Sequence, residues 1–401
     1  MIRISQGQAR GPSLFKTGLA FRPFFWLASV FVTLSLVAWF AFYSGSVVLS
    51  PRGGMIWWHQ HEMLFGFGAA VVVGFLLTAV QNWTGIPSLT GARLWLLALL
   101  WLLARIAVAF SDNLNATFVM LLDAAFLPCV AIAMASYVIR AKRWRNLIFI
   151  PVLTLLTLAN IGMHWGNAHG NYAMSLNSAY MGVWLIVTLI VVIGGRVIPI
   201  FTANGMRMHV RPMRKPLELL LIGSALAICL IFALRALGVQ VMGGIVAVPL
   251  VLLGVLSLLR WLSWHPLKCF KEPMIWGLHT SYLFIIIGAF LWALAEIQGT
   301  RFDSALHTIT VGGMMAIILT MMSRVSLGHT GRLIRGLTGK NAVMIALFIA
   351  ALLRGLGLML WPSATLSFYK ISMVLAIVAF TWFVYHYTHT LWTPRADNRP
   401  G

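Results

Sequence analysis

Apolar runs of roughly twenty residues recur from one end of the chain to the other, separated by short polar or Gly/Pro-containing stretches. As a helix, a run of that length crosses a hydrocarbon core of about 30 Å, because each residue rises ~1.5 Å. The runs predict twelve spans, at approximately 23–48, 57–81, 93–111, 116–139, 146–165, 176–201, 217–237, 243–263, 274–297, 305–326, 341–361 and 368–392. What remains is too short for a soluble domain. Residues 1–401 therefore read as a single transmembrane domain with short tails, 1–22 and 393–401, and the expected class is an all-α polytopic membrane helix bundle.

Composition agrees: 60% of the 401 residues are apolar and 9% are charged, against about 25% charged in soluble domains. The net charge of +21 invites a nucleic-acid reading, and its distribution removes it. Twelve crossings put both termini on one side. That side collects most of the 29 Lys and Arg: the tail up to Arg22, Arg93, RAKRWR (Arg140–Arg145), RMHVRPMRK (Arg207–Lys215), Arg260, Lys268, Lys271, Arg324, RLIRGLTGK (Arg332–Lys340) and the C-terminal arginines. Only Arg52 and Arg301 fall in opposite loops, so the basic side is cytoplasmic, both termini included, and no nucleic-acid partner is expected. Cys129 and Cys229 lie in spans and Cys269 in a cytoplasmic loop, which predicts no structural disulfide. The first 22 residues are too polar for a signal-peptide core, so the first span reads as a retained anchor.

Placing the histidines by depth sorts them into two groups. His59, His61 and His307, with Glu62, open spans at the outer face; His279 and His329, with His265 nearby, lie toward the inner face. His307 and His329 are separated by about 33 Å if helical, too far to share one ion. Ionisable groups inside a membrane are costly unless paired or ligated, which makes both groups site candidates. Imidazoles with few carboxylates or cysteines suit copper or haem iron better than calcium or magnesium. Within HQHE, residues two apart differ by ~200° around a helix, so either the first turn is unwound and His59 and His61 bind one ion, or they serve two neighbouring centres. His164, His169 and His209 read as loop or helix-end residues.

Arg105, Asp123 and Arg354 fall within spans. An Arg105–Asp123 ion pair is the structural reading; arginine on a haem propionate is the functional one, open to both Arg105 and Arg354. Glycines at GFG, at 194, at 312, and at Gly355 and Gly357 permit close helix packing or leave room for a flat macrocycle. Pro199, in GGRVIPIFTANG, is expected to kink or end span six.

FRPFF (Phe21–Phe25), WHQHEMLFGF (Trp58–Phe67), GFLLTAVQNWTG (Gly74–Gly85), GGRVIPIFT (Gly194–Thr202), LHTSY (Leu278–Tyr282), LHTITVGG (Leu306–Gly313) and MMSRVSLGHTGR (Met321–Arg332) together resemble the NnrS family, in order and across nearly the whole chain. The resemblance implies a twelve-span bacterial inner-membrane protein that contains haem (haem b) and copper and belongs to the nitric oxide response, often beside denitrification, protecting against nitrosative stress. It carries over His59, His61, Glu62, His279, His307 and His329, all matched without substitution. The assignment adopted places copper with His59, His61, Glu62 and His307, and haem with His279 and His329, Arg105 and Arg354 serving the propionates. The reverse placement, and a split of His59 and His61 between a haem and an adjacent copper, stay open. Nitric oxide, the lipid bilayer and a redox donor are the expected partners, and turnover would make the protein an oxidoreductase. The competing function classes are a secondary transporter or metal or haem trafficking protein, which would show internal halves and a midplane site, and a colourless scaffold.

Overall fold

The computed structural model describes residues 18–46, 49–210, 213–270, 272–300, 302–334 and 338–397, except the side chain of Pro273. Twelve helices are long and apolar enough to cross a membrane. They are α1 (Phe21–Tyr43), α2 (Gly54–Thr84), α3 (Gly91–Ala109), α4 (Ala116–Arg140), α5 (Trp144–Ala168), α6 (Tyr172–Met206), α7 (Lys215–Ala236), α8 (Gly243–Ser263), α9 (Met274–Gln298), α10 (Asp303–His329), α11 (Lys340–Leu360) and α12 (Pro362–Trp392). No strand occurs among the described residues. In hydrocarbon every backbone N–H and C=O must be satisfied within its own segment, and uninterrupted helices do this. Of the basic residues used to orient the chain, those of residues 1–17 and Arg211, Lys271, Arg301, Arg335 and Arg399 lie outside the described residues.

Local signals set the helix ends. The Asn115 side chain accepts a hydrogen bond from the Phe118 N–H and starts α4, and Asn171 does the same for Met174 and α6. Gly85 and Gly299, in the left-handed conformation at φ 74° and 63°, stop α2 and α9.

Sequential helices pack as antiparallel neighbours, and α12 returns to lie against α1. Two helices sit deepest: 83% of the apolar window of α2 and 78% of that of α10 is buried, against 33% for α7 and α12. The central helices therefore carry His59, His61, His307 and His329. At one end Arg22 donates to Leu391 O at 2.9 Å and Thr393 O at 2.8 Å, and Arg395 donates to His329 O at 2.7 Å. The start of α1, the end of α10 and the C-terminal segment thus share one end of the bundle. Arg52, on Leu114 O at 2.9 Å, and the Arg235–Glu296 ion pair, at 2.7 Å, lie in the loops and helix ends of the other.

Pro199 does not end α6, which continues through it to Met206. The carbonyl that a helical proline crowds belongs to the residue four positions back. Here that residue is Gly195, which lacks the Cβ that would otherwise meet the Arg260 guanidinium at 2.6 Å. The glycines at 312 and 313 serve helix packing: a Cβ there would stand 2.3 Å from Phe284 and 2.5 Å from Ile285 of α9.

A candidate metal and cofactor site on widened helical turns

Three helices widen into π-type turns, at Glu62–Gly68 in α2, Thr308–Met315 in α10 and Leu353–Gly357 in α11. Such a turn takes an extra residue, re-aims side chains and frees backbone carbonyls, and it recurs at functional sites. Here the first follows His61 directly, the second follows His307, and the third contains Arg354. The freed Gly66 carbonyl accepts a hydrogen bond from Trp101 Nε1 at 3.0 Å. All three turns lie toward the end opposite the termini.

The first half of the site is buried among α2, α3, α4 and α5. His61 Nδ1 lies 3.0 Å from Glu62 Oε1; its Nε2 lies 2.9 Å from Asn160 Oδ1 and 3.1 Å from Asp123 Oδ2. Arg105 joins the two acids, on Glu62 Oε1 at 2.6 Å through Nη1 and on Asp123 Oδ1 through Nη2. Asp123 Oδ2 also receives Asn160 Nδ2 at 2.8 Å and His164 Nε2 at 3.0 Å. One ligand atom each from His61, Asp123 and His164 falls within 4.8 Å of the others, a spacing one metal ion can bridge. All six side chains are buried.

Charge counting sharpens this. Glu62 and Asp123 face a single arginine, so with neutral imidazoles the cluster is one positive charge short. Both ring nitrogens of His61 face acceptors, and Asn160 is oriented by its own donation to Asp123. A monovalent metal ion would balance the count. Glu62 Oε2 is buried and, among the described residues, has no hydrogen-bond partner.

The second half lies beside it. The His59 ring stacks flat on Trp39, centroids 4.4 Å apart and planes 2° apart, and its buried Nδ1 has no hydrogen-bond partner among the described residues. His307 Nδ1 donates to Asp303 O at 2.8 Å, leaving Nε2 to accept from Arg354 Nη2. The Arg354 guanidinium stands 3.9 Å above the Tyr369 ring, and its charge acts on both His59 and His307.

His59 and His61 are both helical and point to different partners, so the four outer residues divide: His59 goes with His307 and Arg354, His61 and Glu62 with Arg105. The inner pair is also divided. His279 Nε2 meets Thr202 Oγ1 at 2.9 Å and Cys269 Sγ at 3.5 Å, while its buried Nδ1 has no hydrogen-bond partner among the described residues. His329 packs with its ring tilted against Phe21 and lies within the electrostatic reach of Arg22 and Arg395. The two share no contacting residue among these. Arg105 is committed to Glu62 and Asp123; Arg354 borders His59 and His307. His265 is exposed.

Sequence reasoning passed over His164 and Asn160. Span five was read as ending at 165, which makes His164 terminal, whereas the helix runs to Ala168 and puts it a turn inside. The available signal was the four-residue spacing of Asn160 and His164, one face of a helix, with Asp123 as the lone acid of span four.

Residues 16–395 match the protein family described as NnrS protein. The chain belongs to the NnrS family. No curated protein matches it. In this NnrS-family chain WHQHEMLFGF carries His59, His61 and the first widened turn, and LHTITVGG carries His307 and the second. FRPFF and MMSRVSLGHTGR meet at the end that bears the termini, where Phe21 packs on His329 at 5.7 Å.

Proposed function

We propose that this protein is a haem- and copper-containing membrane protein that binds or transforms nitric oxide and protects a bacterium from nitrosative stress, in a setting linked to denitrification. It sits in the inner membrane with both termini cytoplasmic and draws on a redox donor. The observation that carries the reading is the pair of adjacent histidine groups, His61–Asp123–His164 and His59–His307–Arg354, in one half of the bundle.

His61, His164 and Asp123 fit copper. Two imidazoles and one carboxylate oxygen are a suitable donor set, and the missing positive charge favours the monovalent ion, which can replace a proton without changing the net charge. Haem fits the second half, where the unpartnered His59 Nδ1 supplies a free imidazole nitrogen and Arg354 a guanidinium suited to a propionate. His279, with its own free Nδ1, keeps the inner alternative open to test. Bound there, haem iron would supply a coordination position for a diatomic, and copper a second redox centre.

The chain's own groups do the rest. Arg105 holds Glu62 and Asp123 together and so keeps His61 and His164 facing one point. Asn160 orients His61 by accepting from one of its nitrogens while donating to Asp123. Trp39 fixes the plane of His59. The apolar helices exclude water, and nitric oxide, small and uncharged, reaches such a site through the bilayer without a polar channel.

The test is the visible spectrum of purified protein, oxidised, reduced, and reduced with nitric oxide, with iron and copper counted on the same sample. A haem spectrum that shifts with nitric oxide beside stoichiometric copper supports the proposal. A colourless, copper-free protein contradicts it and leaves transport or scaffolding.

A further inference from the structure

A second feature, independent of the metal reading, lies between α1, α2, α6 and α10. A half-open groove of about 670 Å³, its mouth included, is lined by apolar side chains such as Phe25, Val71, Ile190, Val197, Ile317 and Met321. Such a lining offers nothing to a polar ligand. The rows that form it lead, however, to a charge. On α10, Ile317, Met321 and Arg324 follow one another at four- and three-residue spacing; on α6, Gly194, Val197 and Phe201 do the same, so Arg324 and Phe201 are the next turn of the same two faces. The Arg324 guanidinium stands 4.1 Å above the Phe201 ring.

Arg324 is buried, and among the described residues its Nε has no hydrogen-bond partner. Lys340, the first residue of α11, is 1% exposed, and its ammonium likewise has none. Each cation lies within electrostatic reach of the other, and the acid that acts on Arg324 is the exposed Glu272. Two buried cations without a bonded carboxylate are costly unless an anion joins them. They lie toward the end that bears the termini, where phospholipid headgroups sit.

We propose that the groove holds an acyl chain of an anionic phospholipid whose phosphate is bound by Arg324, with Lys340 as the second cation. An apolar trough open to the side and closed at one end by positive charge matches that ligand in shape and in sign. A neutral lipid would fill the trough without a phosphate, and a zwitterionic one would bring its own ammonium with the phosphate, so neither would compensate the two cations as an anionic lipid does.

The test uses the full-length protein in a mild detergent and in nanodiscs of phosphatidylcholine alone or mixed with phosphatidylglycerol. Native mass spectrometry of the wild type should retain one phosphatidylglycerol per chain, and its melting temperature should be higher in the mixed nanodiscs. Arg324→Gln should lower retention by at least about tenfold and abolish the difference between the two nanodiscs. Val197→Trp, which fills the groove and leaves the cations, should also lower retention. Lys340→Met gives a sign test: it lowers the melting temperature in mixed nanodiscs if a phosphate is bound, and raises it if the ammonium is simply unpaired. Equal stabilisation by both lipids, retention unaffected by Arg324→Gln, or a higher melting temperature for Lys340→Met would each overturn the proposal.

Discussion

His59 and His61 stand two residues apart on one helical turn and face different partners: His59 lies flat on Trp39 at 4.4 Å, whereas His61 bridges Glu62 at 3.0 Å and Asp123 at 3.1 Å. A helix rotates by ~200° between such residues, so one short motif faces two neighbouring groups of side chains. The widened turn that begins at Glu62 places its carboxylate under His61 and the Gly66 carbonyl against Trp101.

Removing a donor from the His61–Asp123–His164 group should remove its ion. Asp123→Asn and His164→Ala are expected to lower copper affinity by at least about tenfold, read as copper per chain after dialysis against a competing chelator. His209→Ala, at an exposed position, should leave it unchanged. Equal copper in all three proteins would exclude this donor set.

Arg105 is the one arginine shared by two buried acids. Arg105→Met leaves Glu62 and Asp123 buried with one cation fewer, a loss of roughly 3–5 kcal/mol, and should show as a lower melting temperature and reduced yield. Adding Glu62→Gln in the same chain should recover part of it, because the two changes act on one network. Strict additivity of the two substitutions would mean that they do not share the charge.

The haem placement separates by mutation. His59→Ala and His307→Ala should abolish or shift the Soret band while the protein still reaches the membrane, and His329→Ala, beside Phe21 and Arg395, should leave it intact. Loss of the band in His279→Ala and His329→Ala alone would return the haem to the inner face.

Much of this was legible in the sequence. Twelve apolar runs became twelve helices long and apolar enough to span a membrane, because span length is fixed by the bilayer and little else competes with it. The expected Arg105–Asp123 pair is present, since a buried arginine on α3 has few acids to choose from. What periodicity could not supply was the neighbourhood of each histidine. His164 joined the site because α5 runs past its expected end, and His279 and His329 parted because helix order around the bundle is invisible in spacing. Pro199 was expected to kink or end span six, and of these the ending does not occur: α6 runs through it to Met206.

Close helix contact at Gly312 makes another prediction. A side chain there would start 2.3 Å from Phe284 and 2.8 Å from Ala351, so Gly312→Leu should cost about 1–3 kcal/mol through overpacking and disturb the widened turn after His307. A melting temperature equal to wild type would show that α9 and α11 yield freely there.

Cys269, in the loop between α8 and α9, is buried against His279, and burial pushes its thiol up from the ordinary range while the Thr202 hydroxyl opposes the shift. Because the folded state favours the neutral thiol, that contribution to stability is complete below the ordinary thiol range and is lost as pH rises through the raised value. In a Cys129→Ser, Cys229→Ala background, since Cys129 is exposed, maleimide labelling at pH 8 should therefore be slow in the folded protein and fast after unfolding; equal rates would contradict the burial.

The most direct test of the central claim is copper X-ray absorption on purified protein, wild type beside His164→Ala. The predicted wild-type spectrum is one copper with two imidazole nitrogens and an oxygen as neighbours, and the variant should lose that copper while keeping its fold. Copper that persists unchanged in His164→Ala, or that shows sulfur neighbours, would contradict the site built from His61, Asp123 and His164.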